Sequence, residues 1–241
     1  MKINNRKFLT TLVALGASIG FTNGAVVYFD DFTTGTDGGL GGQSLITPSS
    51  AEWSTNGWSK NTTAGTISNN NNSASVPAES FDAGDIYQLT VRVTNTSTGN
   101  GWIAMGFAST ETGVYSSAGA GRHWMLWRGN NQLRALISGA SFTGPDDVSP
   151  AGVDNTLDLR MIFDVDENTI SYLYKNPDAS DWTELTSIPP SSGNVSHMDF
   201  VGVSSNTAGT SVLSFELVNI PEPTTALLGG LGFLMLLRRR R

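Results

Sequence analysis

The chain has 241 residues, no cysteine, two histidines and a formal net charge of −7. Without cysteine it has no disulfide framework, no thiolate zinc site and no cysteine nucleophile. Residues 26–220 carry seven Lys or Arg against twenty Asp or Glu, a net charge of −13. That charge argues against nucleic acid or an anionic lipid surface as the main partner, because both need clustered positive charge.

The first twenty-five residues have the three parts of a secretory signal peptide. Lys2, Arg6 and Lys7 form a positive region, residues 8–19 an apolar core, and residues 22–25 a small-residue exit. We therefore predict a signal helix that is recognised by the Sec translocon and removed by signal peptidase after Gly24 or Ala25. An uncleaved N-terminal anchor is the alternative, although the apolar stretch is shorter than the usual span of about 20 residues.

The next part of the chain predicts strands. Val26 to Phe29 is a β-branched and aromatic run, and Ile86 to Thr94 alternates apolar with polar side chains, which places one apolar row on a sheet face. Trp102 to Ala108 is apolar on both faces, which predicts a central strand. The run Asn69 to Asn72 predicts a hairpin loop.

Two hairpins follow in the second half of the chain. The first joins residues 123–128 to residues 132–138 through Gly129-Asn130-Asn131, a turn composition that tolerates positive φ. The second joins residues 157–164 to residues 169–174, and its two arms each alternate in polarity.

Residues 198–203 and 211–218 complete the set of predicted strands, and in the last one we expect Leu213, Phe215 and Leu217 to point inward. No stretch has a sustained period of about 3.6 residues, and turn signals recur throughout. The pattern therefore predicts an all-β fold, a two-sheet antiparallel β-sandwich over residues 26–219.

The order of these features resembles the jelly rolls of the concanavalin A-like lectins and glucanases. The resemblance rests on the Val-Tyr-Phe-Asp-Asp-Phe strand at 27–32, the Gly-Trp-Ile-Ala-Met-Gly-Phe strand at 101–107, and the hairpin of Leu-Arg-Met-Ile-Phe-Asp at 159–164 with Tyr-Leu-Tyr-Lys at 172–175. It implies a jelly-roll sandwich and a function directed at glycans.

Four residues are candidates for glycan binding, which needs aromatic faces for sugar rings and polar groups for hydroxyls. They are Trp102, Trp124, Trp127 and Arg128. Because side chains alternate along a strand, Trp124 and Trp127 lie on opposite faces. We therefore expect at least one of these tryptophans to lie in the core.

Metal binding and catalysis have weaker candidates. Asp164, Asp166 and Asn168 alternate like the start of a calcium loop, but the expected glycine and distal glutamate are missing, and a hairpin turn explains the same residues. Glycoside hydrolysis needs two carboxylates, for which Asp164, Asp166 and Glu216 are candidates. The Glu-x-Asp-x-x-Glu pattern of the best-known glucanase jelly rolls does not occur. We therefore predict no catalytic residue and no cofactor, with a bound calcium ion as the alternative.

The end of the chain has three parts in a fixed order. Pro221, Glu222 and Pro223 come first, followed by an apolar run over residues 226–237. As a helix this run would span about 18 Å, well short of the roughly 30 Å of a bilayer core. The chain then ends in four basic residues, Arg238, Arg239, Arg240 and Arg241. This cluster is expected to stop the short helix at the cytoplasmic side of a membrane.

This order resembles the PEP-CTERM sorting signal of bacterial exported proteins, over residues 220–241. The resemblance implies that an exosortase recognises the tail and removes it, in bacteria that make extracellular polysaccharide. The expected location is therefore an inner-membrane intermediate, followed by the cell surface or extracellular matrix of a Gram-negative-type bacterium.

The sequence thus predicts a signal peptide (1–25), a β-sandwich (26–219) and a sorting segment (220–241). The leading hypothesis is an exported, non-catalytic surface or matrix protein that binds polysaccharide. One alternative is a structural coat or matrix protein that associates with itself. The other is a divergent glycoside hydrolase or lyase.

Overall fold

The structure is a computed structural model that describes residues 24–55, 57–69, 71–78, 81–82, 84–111, 122–136, 155–185, 191–192 and 198–221. At positions 122, 191, 192 and 221 it describes the backbone alone. The predicted signal helix and the predicted helix of the sorting segment lie outside these residues. Across the described ranges, no helix has the length and apolar character needed to cross a bilayer.

Sixteen strands form within the described residues. They are β1 (Ala25–Asp30), β2 (Gly38–Gly39), β3 (Ser54–Thr55), β4 (Ser59–Asn61), β5 (Thr66–Ser68), β6 (Asn72–Pro77), β7 (Asp85–Asn95), β8 (Trp102–Ala108), β9 (Arg122–Arg128), β10 (Leu133–Leu136), β11 (Thr156–Asp164), β12 (Thr169–Lys175), β13 (Thr183–Glu184), β14 (Ser191–Ser192), β15 (Phe200–Ser205) and β16 (Thr210–Pro221).

The strands form two antiparallel sheets, as the sequence predicted. The ten-stranded sheet has the order β13-β12-β11-β7-β16-β5-β4-β2, with β1 paired to β16 and β14 paired to β12. The six-stranded sheet has the order β10-β9-β8-β15-β6-β3. All seven residues of β8 are buried between β9 and β15, which confirms the prediction of a central strand.

The core lies between the sheets because each long strand presents its apolar residues on one face. Leu89 and Val91 of β7 face the interior, as do Met105 and Phe107 of β8. The rings of Phe107 and Phe163 lie 6.3 Å apart between centroids and join the two sheets directly. The alternation read from the sequence therefore placed the core correctly.

Two local predictions are wrong. A β-bulge between Val212 and Ser214 shifts the register of β16, so Val212 is buried and Leu213 is only half-buried. The Asn run does not form a hairpin, because β5 belongs to the ten-stranded sheet and β6 to the six-stranded sheet. This connection crosses from one sheet to the other.

A buried ionic group fixes the loop that follows β1. Asp30 is fully buried, and its Oδ1 accepts a hydrogen bond from the Phe32 backbone N–H at 2.8 Å. Its Oδ2 accepts one from Trp53 Nε1 at 2.9 Å and lies 3.7 Å from Lys60 Nζ. Phe32 has φ 60, which a bulky residue rarely adopts, and the bond to Asp30 holds it there.

We expect Asp30→Ala to destabilise the domain by about 3–5 kcal/mol, because it leaves a buried lysine and two buried N–H groups without a partner. Equilibrium denaturation in urea measures the change. Asp31→Ala is the matched control, since within the described residues Asp31 accepts side-chain hydrogen bonds from the nearby Thr33 alone, and we expect it to cost no more than about 1 kcal/mol. Equal losses in the two variants would contradict a special role for Asp30.

A second buried polar group lies on the inner side of β9. His123 pairs with Phe107 across β8 and β9, is fully buried, and has no hydrogen-bond partner on either ring nitrogen within the described residues. Burial lowers the pKa of His123 to about 4, because the charged imidazolium cannot be solvated there. The imidazole is therefore neutral in the folded protein at neutral pH.

We expect His123 to make the domain acid-sensitive. Between about pH 6.5 and pH 4 the unfolded chain takes up a proton that the folded chain does not, so stability falls as pH falls, by about 3 kcal/mol in total. His123→Leu removes this contribution. Urea midpoints measured from pH 7.5 to pH 4 should depend less on pH in the variant, and parallel curves would refute the assignment.

Candidate functional site

The outer face of the six-stranded sheet carries the candidate site. Trp127 of β9 points into the core, so Trp124 and Leu126 point outward. Trp102 and Ala104 of β8 lie on the same outer face, in a cluster separate from the core. This face is therefore apolar along β8 and β9.

One row of residues crosses this face from strand to strand. In order from β10 to β3 it reads Leu136, Trp124, Gly106, Gly202, Ser75 and Ser54. The two adjacent glycines leave no side chains between the indole and the serine hydroxyls. A Cβ on Gly202 would lie 2.2 Å from the Ala74 carbonyl oxygen, so the backbone requires glycine at this position.

Glu111 lies at the polar end of this row. Ser54 Oγ donates a short hydrogen bond to Glu111 Oε1, and Ser75 Oγ donates to the Glu111 carbonyl oxygen at 2.8 Å. Because Ser54 and Ser75 are cross-strand partners on β3 and β6, the sheet register itself positions this carboxylate. Glu111 is exposed to solvent.

These groups surround a small depression of about 180 Å³, a volume that includes its solvent-open part. The depression is lined by Ser73, Ser75, Ala108, Thr110, Glu111, Trp124, Phe200, Val201 and Gly202. It is smaller than the roughly 300–1,000 Å³ of pockets that enclose a whole ligand. The space in which a water-sized group fits is about 10 Å³, so the depression accommodates one water molecule or one hydroxyl group of a larger molecule.

The floor and the rim of the depression differ in chemistry. Trp124 is 3% exposed and forms part of the floor, and its buried Nε1 has no hydrogen-bond partner within the described residues. Thr110 and Glu111 are exposed and Phe200 is half-buried, so they form the accessible rim. A buried donor without a partner costs about 1–3 kcal/mol.

The four predicted glycan-binding residues occupy different environments. Trp127 is 1% exposed in the core, which fulfils the expectation that at least one of the tryptophans is buried there. Trp102 is 6% exposed on the outer face and pairs with Arg128 across β8 and β9. Arg128 Nη1 donates to Gln132 Oε1 at 3.2 Å. Only Trp124 lines the depression.

The weak calcium candidates lie in the turn between β11 and β12. Asp164 Oδ1 accepts a hydrogen bond from the Glu167 backbone N–H at 2.9 Å, and Asp166 Oδ1 accepts one from Gly84 at 2.8 Å. Asn168 has φ 50, which is typical of a turn position. In the described part of the chain, no group of three or more His, Asp or Glu residues is placed to hold a metal ion.

The predicted carboxylates do not meet at the depression. Asp164 and Asp166 lie at the end of the β11–β12 hairpin, and Glu216 lies on β16, so all three belong to the ten-stranded sheet. Glu111, which sequence reasoning missed, follows β8 of the other sheet. The pairing of β3 with β6 brings together Ser54 and Ser75, which hold Glu111 beside the depression.

Comparisons with known proteins show the fold. No protein-family model and no curated protein matches the sequence. Among solved structures, the chain is similar to an endo-1,3-beta-glucanase from Streptomyces sioyaensis, with a TM-score of 0.51 and 12% identity over 83% of this chain and 98% of the other. It is also similar to lectin II from Ulex europaeus, with a TM-score of 0.48 and 9% identity over 73% and 95% of the two chains.

At such low identity these likenesses bear on the fold alone. With the two antiparallel sheets described above, the likeness to the glucanase shows that the chain is an all-β jelly-roll sandwich. The predicted fold class is confirmed. Since one fold serves both binding proteins and hydrolases, the function has to be argued from the site.

Proposed function

We propose that this chain is an exported, non-catalytic protein of the cell surface or extracellular matrix that binds a neutral polysaccharide at the depression beside Trp124. The observation that carries the proposal is the row in which an indole and a hydroxyl-carboxylate group lie on either side of two glycines. Sugars need this combination, because each pyranose ring has an apolar CH face and a polar edge.

The polar groups at the depression favour a ligand without charge. Its polar lining residues are Ser73, Ser75, Thr110 and Glu111, and within the described residues no lysine or arginine lines it. A carboxylate accepts hydrogen bonds from sugar hydroxyls but repels an anionic polymer. The strongly acidic composition of residues 26–220 supports the same choice.

The presence of a single carboxylate among the described residues that line the depression favours binding over hydrolysis. Glycoside hydrolysis by the common mechanisms needs two carboxyl groups on either side of the scissile bond. Glu111 is the one carboxylate that lines the depression in the described part of the chain. Asp164, Asp166 and Glu216 belong to the other sheet.

Export and sorting are the second part of the proposal. The signal peptide over residues 1–25 would direct the chain to the Sec translocon, and Pro221, Glu222 and Pro223 would be read by an exosortase. Ala25 pairs with Asn219, and Pro221 pairs with Asp85. The two predicted processing sites therefore flank adjacent strands at one end of the sandwich.

We expect Glu111→Gln to weaken binding of a soluble β-1,3-glucan by about tenfold or more, because a hydrogen bond to a charged group is worth about 1.5–3 kcal/mol. Affinity electrophoresis of purified residues 24–221 in glucan-containing gels measures the effect. Glu52→Gln is the matched control, since Glu52 is an exposed glutamate that does not line the depression. Unchanged mobility of wild-type protein in gels containing any neutral glycan would reject the proposal.

For the sorting segment, we expect the protein recovered from outside the producing cell to lack Arg238, Arg239, Arg240 and Arg241. Intact-mass spectrometry of that protein, compared with the membrane-bound precursor, gives both processing sites. Replacing Pro221, Glu222 and Pro223 by alanine should leave the chain as the unprocessed form. Recovery of exported wild-type protein with all four arginines present would mean that the tail is a plain anchor.

A further inference from the structure

Trp182 differs from the other tryptophans in its exposure to solvent. The chain has six tryptophans, and five are buried, whereas Trp182 is half-buried just before β13. A partly exposed indole presents an apolar ring face that a ligand can cover. Trp182 is far from the depression in the fold, because β13 is an edge strand of the ten-stranded sheet.

Trp182 lies on the outer face of that sheet. The guanidinium carbon of Arg160 is 3.7 Å from the centroid of the indole, and Lys175 Nζ is 5.2 Å from it. Arg160 lies between the buried Leu159 and Met161 on β11, so its side chain points away from the core. The indole is therefore held on the solvent side of the sheet by two cations.

The cations are themselves fixed. Arg160 Nε donates to Thr90 Oγ1 at 3.1 Å, and Lys175 Nζ donates to the Ala179 carbonyl oxygen at 3.2 Å. Asp158 accepts two hydrogen bonds from Arg92, at 2.7 and 3.0 Å, and lies 3.9 Å from Lys175. We name Trp182, Arg160, Lys175, Asp158 and Arg92 together the Trp182 surface.

The Trp182 surface carries three cations, Arg92, Arg160 and Lys175, and one carboxylate, Asp158, while the charges of Asp178 and Glu216 act on it from close by. Burial lowers the pKa of Arg160, while Glu216 and Asp158 act in the opposite direction, and the guanidinium stays charged at neutral pH. The pKa of Arg92 is raised, chiefly by its hydrogen bond to Asp158. Counting Asp178 and Glu216, three carboxylates balance the three cations, so the neighbourhood has no excess positive charge to attract a polyanion.

Arg160 nevertheless keeps donors free. Its Nε bonds Thr90, and within the described residues its two Nη groups hydrogen-bond no protein atom. These N–H groups lie next to an aromatic ring that is partly open to water. A rigid ring flanked by fixed donors and a carboxylate is the arrangement that binds the face and hydroxyls of a pyranose.

We infer that the Trp182 surface is a second carbohydrate-contact site, which takes a sugar ring of a neutral glycan against the indole of Trp182 and its hydroxyls on Arg160. The inference takes its class of ligand, a neutral glycan, from the proposed function. It uses no residue of the six-stranded sheet. Two sites on opposite sheets would let one molecule contact two glycan chains.

The test compares three variants for binding to a soluble β-1,3-glucan. Trp182→Ala should weaken binding by about tenfold, whereas Trp182→Phe, which keeps an aromatic ring, should weaken it less. Gln88→Ala is the control, because Gln88 lies on the outer face of β7 in the same sheet and pairs with Ile162, away from the indole. Thermal unfolding of each variant verifies that it is folded.

Acrylamide quenching of tryptophan fluorescence gives a readout that a purely structural role would not change. The quencher reaches Trp182 far better than the five buried indoles, and the glucan should protect it. Trp182→Phe should abolish both the accessible fluorescence and its protection. Wild-type affinity in folded Trp182→Ala, or quenching unaffected by saturating glucan, would overturn the inference.

Glu111→Gln separates this inference from the proposed function. Loss of binding in Glu111→Gln with none in Trp182→Ala supports the depression and overturns the Trp182 surface, and the reverse result overturns the depression. Failure of wild-type protein to bind rejects both. Protection of Trp182 by alginate, a carboxylated polymer, but not by β-1,3-glucan would overturn the assignment to a neutral ligand.

Discussion

The buried carboxylate of Asp30 connects three parts of this molecule. It accepts hydrogen bonds from Phe32 and Trp53 and faces Lys60, so it joins β1 to a loop of more than twenty residues and to β4. Trp53 precedes Ser54, the residue of β3 that bonds Glu111. The residue that bonds Asp30 and the residue that bonds Glu111 are therefore neighbours in the chain.

Burying the charges of Asp30 and Lys60 opposes folding, and removing either partner is expected to destabilise the protein strongly. A buried ion pair loses the hydration of both charges, and it is maintained only where further hydrogen bonds complete the coordination of each group. Asp30 meets this condition because both of its oxygens accept a hydrogen bond. The pair contributes less to net stability than to fixing one conformation of the glycine-rich loop, whose sequence on its own specifies little.

Sequence reasoning predicted the features that depend on local periodicity. The alternation in β7 and β11, the bounds of β8 and the β11–β12 hairpin all followed from side-chain pattern. It failed where partners far apart in the chain decide the outcome. The bulge at Val212 depends on pairing with β7, and the crossing of the Asn run between sheets depends on which strand β5 meets.

The residues of the candidate sites were still harder to predict from the sequence, because tertiary contacts determine their exposure and their neighbours. The sequence around a tryptophan does not show whether its ring is buried or exposed. Tertiary contacts alone distinguish the five buried indoles from Trp182. Glu111 has no local signal either, since its position comes from the register of β3 on β6. The alternation of side chains along β9 did predict which face of the sheet each residue occupies. It correctly placed Trp124 and Trp127 on opposite faces.

The position of β16 has a consequence for how the chain reaches its folded state. It is the final strand of the sandwich, yet it pairs with β7 along one edge and with β5 and β1 along the other. Until it is in place, the ten-stranded sheet is divided into three parts, namely β1, the strands on the β5 side and those on the β7 side. Such contacts between distant parts of a chain form slowly. In a chain that is synthesised from its N-terminus, the ten-stranded sheet can therefore be completed only after residues 210–221 have been added.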